Sequence, residues 1–146
     1  MAHFRRIVCA SDFSRASSRA FVTAVAMAKA HRARLTLLHV IEPVMPIIPE
    51  QYIASTTWEQ VDAGTRRWAT GQLARLAEKA KKKGVRVATR LIEGFVADEI
   101  ARVARSERAD LLVVGTHGRR GISRLVLGSV AERVVAIAHC PVVTCR

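Results

Sequence analysis

No stretch of this 146-residue chain approaches the roughly 18 consecutive apolar positions that a membrane-crossing helix needs, so no membrane partner is expected. Cysteine is scarce: Cys9, Cys140 and Cys145 form an odd set without regular spacing. That argues against a disulfide framework and against a zinc ligand set. Carboxylates are few as well, 12 Asp and Glu against 24 Lys and Arg, for a formal charge of +12. Aromatic residues are limited to four Phe, two Trp and one Tyr, too few for the stacking platforms of sequence-reading RNA modules. The chain lacks G-x4-G-K-[ST], so it has no Walker-type loop. It also lacks G-x-G-x-x-G after its first strand, which removes the dinucleotide fingerprint. No Ser-His-Asp or Cys-His set stands in a recognisable context, and no catalytic residue is assigned. The amino terminus, Met1-Ala2-His3-Phe4-Arg5-Arg6-Ile7, has no long apolar segment with a small-residue cleavage site behind it. A cytoplasmic protein is the default expectation.

What is present is a length suited to one domain, residues 1–146, and an apolar content of 50%, enough for a core. Short apolar runs alternate with helical patterns. Ile7 to Ala10 reads as a first buried strand. Ala16, Ala20, Ala24, Met27 and Ala28 then share one face of a helix over 15–31. Leu35 to Ile41 is a second strand, with His39 as a satisfied core histidine. A connection holding Pro43, Pro46 and Pro49 follows. Thr57-Trp58-Glu59-Gln60 has capping-box spacing. The helix behind it presents Trp58, Val61, Thr65, Trp68, Leu73 and Leu76 inward and ends by Gly84. Its basic tail, Lys79 to Lys83, offsets the negative end of the helix dipole.

Val85, Val87, Thr89 and Leu91 alternate with Arg86, Ala88 and Arg90, the pattern of an edge strand. A helix near 95–107 buries Val96, Ile100, Val103 and Ala104. Leu111 to Val114 is a fully apolar strand. A helix over about 129–138 buries Ala131, Val134, Val135 and Ala138, and Pro141 to Cys145 forms a last strand. Five strands and four helices in strict alternation predict a parallel, Rossmann-like α/β sheet with helices on both faces.

In such sheets ligands bind beyond the carboxyl ends of the strands. Strand one ends in Ala10, Ser11, Asp12, Phe13 and Ser14; strand four ends in Gly115-Thr116-His117-Gly118. Arg119, Arg120 and Gly121 follow, then Gly128 and Ser129. Glycines leave backbone amides bare, a helix start favours an anion, and arginines add charge, so the loop reads as a phosphate cradle. Asp12 suits a ribose hydroxyl or a metal ion, and the backbone at Val40 can meet an adenine edge. Each feature has a plainer reading too. Asp12 or Ser14 can simply cap the first helix. Ser129-Val130-Ala131-Glu132 has capping-box spacing of its own, and the glycines can be turn residues.

The spacing Gly115-x2-Gly118-x9-Gly128-Ser129 matches the G-x2-G-x9-G-[ST] signature of the ATP-binding branch of the universal stress protein family. The opening Ile7 to Ser14, the segment Leu127 to Val134 and the ending Cys140 to Val143 also resemble that family, so the likeness spans the chain. It implies a sheet in strand order 3-2-1-4-5 and a homodimer through the last strand. It implies ATP, with Mg2+ or Mn2+ as accompanying ion. Phosphates would lie on the 115–129 loop, the adenine near Val40, and Asp12 by the ribose or an associated metal. The nucleotide-binding residues so implied are Ala10, Ser11, Asp12, Val40, Gly115, His117, Gly118, Arg119, Arg120, Gly128, Ser129 and Val130. The implied role is a stress-responsive module that signals by binding; slow ATP hydrolysis is the alternative. The high positive charge leaves nonspecific nucleic-acid binding as a third reading.

Overall fold

The computed structural model describes residues 3–43, 55–117 and 127–146. Strands β1 (Arg6–Ala10), β2 (Arg34–Ile41), β3 (Arg86–Glu93), β4 (Leu111–Gly115) and β5 (Val142–Cys145) alternate with helices α1 (Arg15–His31), α2 (Ser55–Lys82), α3 (Val96–Ser106) and α4 (Ser129–Ile137). The strands form one sheet in the order β3-β2-β1-β4-β5, and every pairing is parallel. The expected architecture and strand order are both present.

The apolar runs of β1, β2 and β4 are buried on both faces because helices cover both. Ile7, Cys9, Leu35, Leu37, Leu111 and Val113 pack beneath α1 and α2. Val8, Ala10, Leu38, Val40, Leu112 and Val114 pack beneath α3 and α4. β3 and β5 stand at the two edges, so their residues are only partly buried.

Three details of the helices depart from the sequence pattern. Val61 is 52% exposed and Trp68 42% exposed, and Thr65 is exposed too. The buried face of α2 is Ala69, Leu73, Ala77 and Ala80. The reason is length. A helix of 28 residues spans about 42 Å. An eight-residue strand spans only about 27 Å. The amino-terminal half of α2 therefore overhangs the sheet and has little to bury against among the described residues. α2 also starts at Ser55, so Thr57 falls inside its first turn rather than at its cap. In α4, Ala131 and Val134 are buried but Val135 is 48% exposed, because a short helix above an edge strand has a narrow covered stripe.

Candidate functional site

The turn after β1 is held by a local hydrogen-bond net. Ser14 is the N-cap of α1, and its side chain accepts from the Ser17 amide. Asp12 Oδ1 accepts from the Ser14 amide at 2.9 Å and from the Ser17 hydroxyl. Ser11 Oγ accepts from the Phe13 amide at 3.1 Å. Asp12 therefore supports the helix start through one carboxylate oxygen, and Ser14, not Asp12, is the cap. Phe13 carries a φ of 63°, a left-handed conformation that costs a non-glycine residue roughly 1–2 kcal/mol. Its ring is held by His39 at 4.5 Å and by Trp68 at 5.3 Å. His39 is half-buried and its Nδ1 lies 2.7 Å from the Ser11 carbonyl, so it is bonded as the pattern implied. This pair ties the end of β1 to β2 and explains the exposed Trp68, which braces the turn instead of the core.

β4 lies beside β1, so its carboxyl end reaches the same edge. Gly115 is packed against the first turn of α1. A Cβ there would lie 3.0 Å from the backbone of Ala16 and Ser17. Its missing side chain is thus required by the fold. Gly128 is tighter: its Cβ would stand 2.7 Å from the Thr116 carbonyl oxygen. The Gly128 amide donates to that same oxygen at 2.7 Å. This corrects the expectation of a bare Gly128 N–H, because that amide is already engaged. The donors it leaves at the start of α4 are those of Ser129, Val130 and Ala131, which first-turn geometry deprives of intrahelical acceptors. Gly128 is also the N-cap of α4, and no side chain caps the helix. The capping-box role suggested for Ser129 is therefore not adopted, and its hydroxyl does not compete for those amides.

His117 lies immediately beyond β4. Its Nδ1 is 3.0 Å from the Thr116 hydroxyl, while its Nε2 is buried without a hydrogen-bond partner among the described residues. In the tautomer where Nδ1 accepts from Thr116, Nε2 carries the proton and needs an acceptor. An orphaned buried donor costs roughly 1–3 kcal/mol. Gly118, Arg119 and Arg120, with Gly121, lie outside the described residues, as does the proline-bearing stretch after Pro43.

Ala10, Ser11 and Val40 are buried at the carboxyl ends of β1 and β2. On the α3 and α4 side a cleft of about 240 Å³ opens, lined by Glu42, Phe95, Val96, Ala97, Asp98, Ser129, Val130 and Arg133. Ser129 and Val130 were expected at a site; Glu42 and the Phe95–Asp98 segment were not. Phe95 is 76% exposed and stands at the N-cap of α3 without a capping side chain. A large apolar residue at a cap is the signal that could have drawn notice. Arg133 and Asp98 pair at 2.9 Å and link α4 to α3 along the cleft. Among the described residues, no cluster of three or more His, Cys, Asp or Glu could hold a metal by itself.

Comparison with known proteins bears on this geometry. A model of the Universal stress protein family matches residues 3–146. A universal stress protein of Methanocaldococcus jannaschii is 34% identical over 143 residues, covering 98% of this chain and 82% of that protein. The solved structure of UspA from Lactobacillus plantarum matches with a TM-score of 0.86 at 26% identity, over 100% of both chains. A crystal structure of a universal stress protein in complex with cAMP matches with a TM-score of 0.71 at 25% identity, over 98% of this chain and 97% of that one.

Proposed function

Since the chain belongs to the universal stress protein family, we propose that it is a regulatory module that holds ATP at the carboxyl ends of β1 and β4 and signals by binding. The observation that carries this reading is the hydrogen bond from the Gly128 amide to the Thr116 carbonyl. That bond sets the amino terminus of α4 beside the ends of the central strands. The first-turn amides of Ser129 and Val130 are the donors a phosphate would take, joined by His117 Nε2 in the tautomer that places the proton there. Gly118, Arg119 and Arg120 extend the same cradle by their place in the signature. The apolar slot between Val96, Ala97 and Val130 suits an adenine ring, and Val40, near the end of β2, belongs to the same apolar cluster as Ala97 and Val96. Asp12 suits the ribose. The relative bound to cAMP supports an adenine nucleotide as the class of ligand. Mg2+ or Mn2+ would come with the phosphates, since hard cations favour phosphate oxygens. The chain is further proposed to pair with a second copy along β5, the short edge strand.

Calorimetric titration of ATP into nucleotide-free protein tests the site. Heat of binding is expected, together with roughly 2.7 kcal/mol of added stability at a hundredfold excess over Kd. Asp12→Asn keeps an oxygen for the Ser14 amide but removes the charge. It is expected to weaken ATP by about 1.5–3 kcal/mol, the range for a hydrogen bond to a charged group. Absence of both heat and a thermal shift at millimolar ATP would sink the reading.

A further inference from the structure

The opposite end of the sheet has a feature that nucleotide binding does not use. In the parallel register, Arg6 is paired with Arg34 and Arg34 with Arg86. Register partners on parallel strands share a face, and neighbouring strands lie about 4.8 Å apart. Three arginines thus stand side by side across β1, β2 and β3, on the α3 side of the sheet, and all three are exposed. Between this row and the end of α3 is a cleft of about 280 Å³ lined by Arg6, Arg34, Thr36, Ser106, Glu107 and Arg108. Glu107 already pairs with Arg90 at 2.9 Å. Asp110, the other nearby carboxylate, accepts from the backbone amides of Arg5 and Arg6 and not from their guanidinium groups. Arg86 donates to the Arg32 carbonyl at 3.2 Å, a bond that leaves its charge uncompensated. Arg6, Arg34 and Arg108 form no ion pair among the described residues.

Helix dipoles account for Lys29 and for Lys79 to Lys82, which sit at helix carboxyl ends. They account for Arg86 in part, since it donates to the carbonyl of Arg32, the C-cap of α1; Arg6 and Arg34, at the starts of β1 and β2, serve no helix carbonyl among the described residues. Arg32, the C-cap of α1, and Arg108, one residue past the C-cap of α3, add further charge at this end, where the helix dipole also favours a cation. Each occupies a left-handed turn, with φ of 55° and 51°, where glycine would be unstrained. Local strain is retained at two positions that both add positive charge to this end. Each exposed large apolar side chain among the described residues, such as Trp68, Phe95 or Val130, lies on a helix body or at the nucleotide end. A surface that inserts into lipid needs such residues.

We propose that this amino-edge row and its cleft bind the phosphate backbone of a nucleic acid without reading its sequence. The row is too long for one phosphate, and its guanidinium forks match phosphate oxygens. The contact is independent of the ATP site, which lies at the other end of the strands.

The test is fluorescence polarisation with a labelled single-stranded thymidylate oligonucleotide, which offers no adenine to the nucleotide site. Affinity is measured across about 50 to 200 mM salt. The Arg6→Gln, Arg34→Gln, Arg86→Gln triple variant is expected to lower the slope of log affinity against log salt by about 2, at roughly 0.7 for each phosphate no longer neutralised. The matching Lys triple should retain most of the slope. A control triple, Arg15→Gln, Arg67→Gln, Arg75→Gln, removes equal charge elsewhere and should retain it too. Arg108→Gly should weaken the oligonucleotide while leaving the melting temperature unchanged or higher. Equal losses from both Gln triples would overturn the proposal, because net charge alone would then explain binding. Capture by phosphatidylserine vesicles without capture of the oligonucleotide would also overturn it. Saturating ATP is expected to leave the oligonucleotide affinity unchanged, and failure to bind ATP at all would leave this proposal standing.

Discussion

Gly128 shows how much one hydrogen atom in place of a methyl group can decide. Its φ of −63° suits any residue, so its requirement for glycine comes from contact alone. A Cβ would stand 2.7 Å from a backbone oxygen that also accepts the Gly128 amide. Gly128→Ala is therefore expected to cost about 1–3 kcal/mol, as overpacking does, and to displace the start of α4. Urea unfolding with and without ATP would measure both effects; an unchanged midpoint and affinity would refute the steric account. Cys9 is a second residue whose environment sets its chemistry. Complete burial, with a smaller contribution from Cys145, pushes its thiol up from 9.0 to about 12. A raised pKa in the folded state means that the folded chain holds this proton more tightly than the unfolded one. The associated stability is whole below pH 9 and is lost as pH rises towards 12. Unfolding free energy measured over that window should fall with a steeper slope for the native chain than for Cys9→Ala. Native Cys9 should also resist thiol reagents at neutral pH.

At the scale of elements, α2 divides into a half that is cored and a half that is not. Leu73, on the buried stripe, is 2% exposed, whereas Val61, about three turns earlier, is 52% exposed. Leu73→Ala is expected to cost about 2–5 kcal/mol. Val61→Ala should stay within about 0.5 kcal/mol, as surface changes do. Equal effects in chemical denaturation would mean that the overhanging half is covered by something, such as a partner. The Asp98–Arg133 pair that joins α3 to α4 is exposed on both sides, at 50% and 60%. Its contribution to stability is therefore small, although it links α3 to α4 along the cleft beside Ser129 and Val130.

For the whole molecule, the parallel sheet has two unlike ends. Helix starts, glycines and the Asp12 turn gather at the carboxyl end, while strand arginines gather at the amino end. The lateral edges differ as well. β3 carries Arg86, Arg90 and Glu93, charges that discourage strand addition, whereas β5 offers the half-buried Val142 and Val143. Association along β5 predicts a dimer by sedimentation equilibrium at high micromolar concentration. Val143→Lys should shift it to monomer; a native monomer throughout would refute the pairing.

Much of this molecule is legible in its sequence for a physical reason. Strand and helix periods are local, so the five strands and four helices can be read from runs such as Leu111 to Val114 and from the face Ala20, Ala24, Ala28. Glycine spacing is local too, and it singles out Gly115 and Gly128 without reference to any neighbour in space. Which atoms those glycines meet depends on segments far away in the chain. Only the packing of β4 against α1 explains Gly115, and only the return of the chain to Thr116 shows that the Gly128 amide is engaged. The exposure of Val61, Trp68 and Val135 follows from how far each helix extends past the sheet, which no periodicity records. The arginine row has the same origin: Arg6, Arg34 and Arg86 are far apart in sequence, and parallel register alone brings them together.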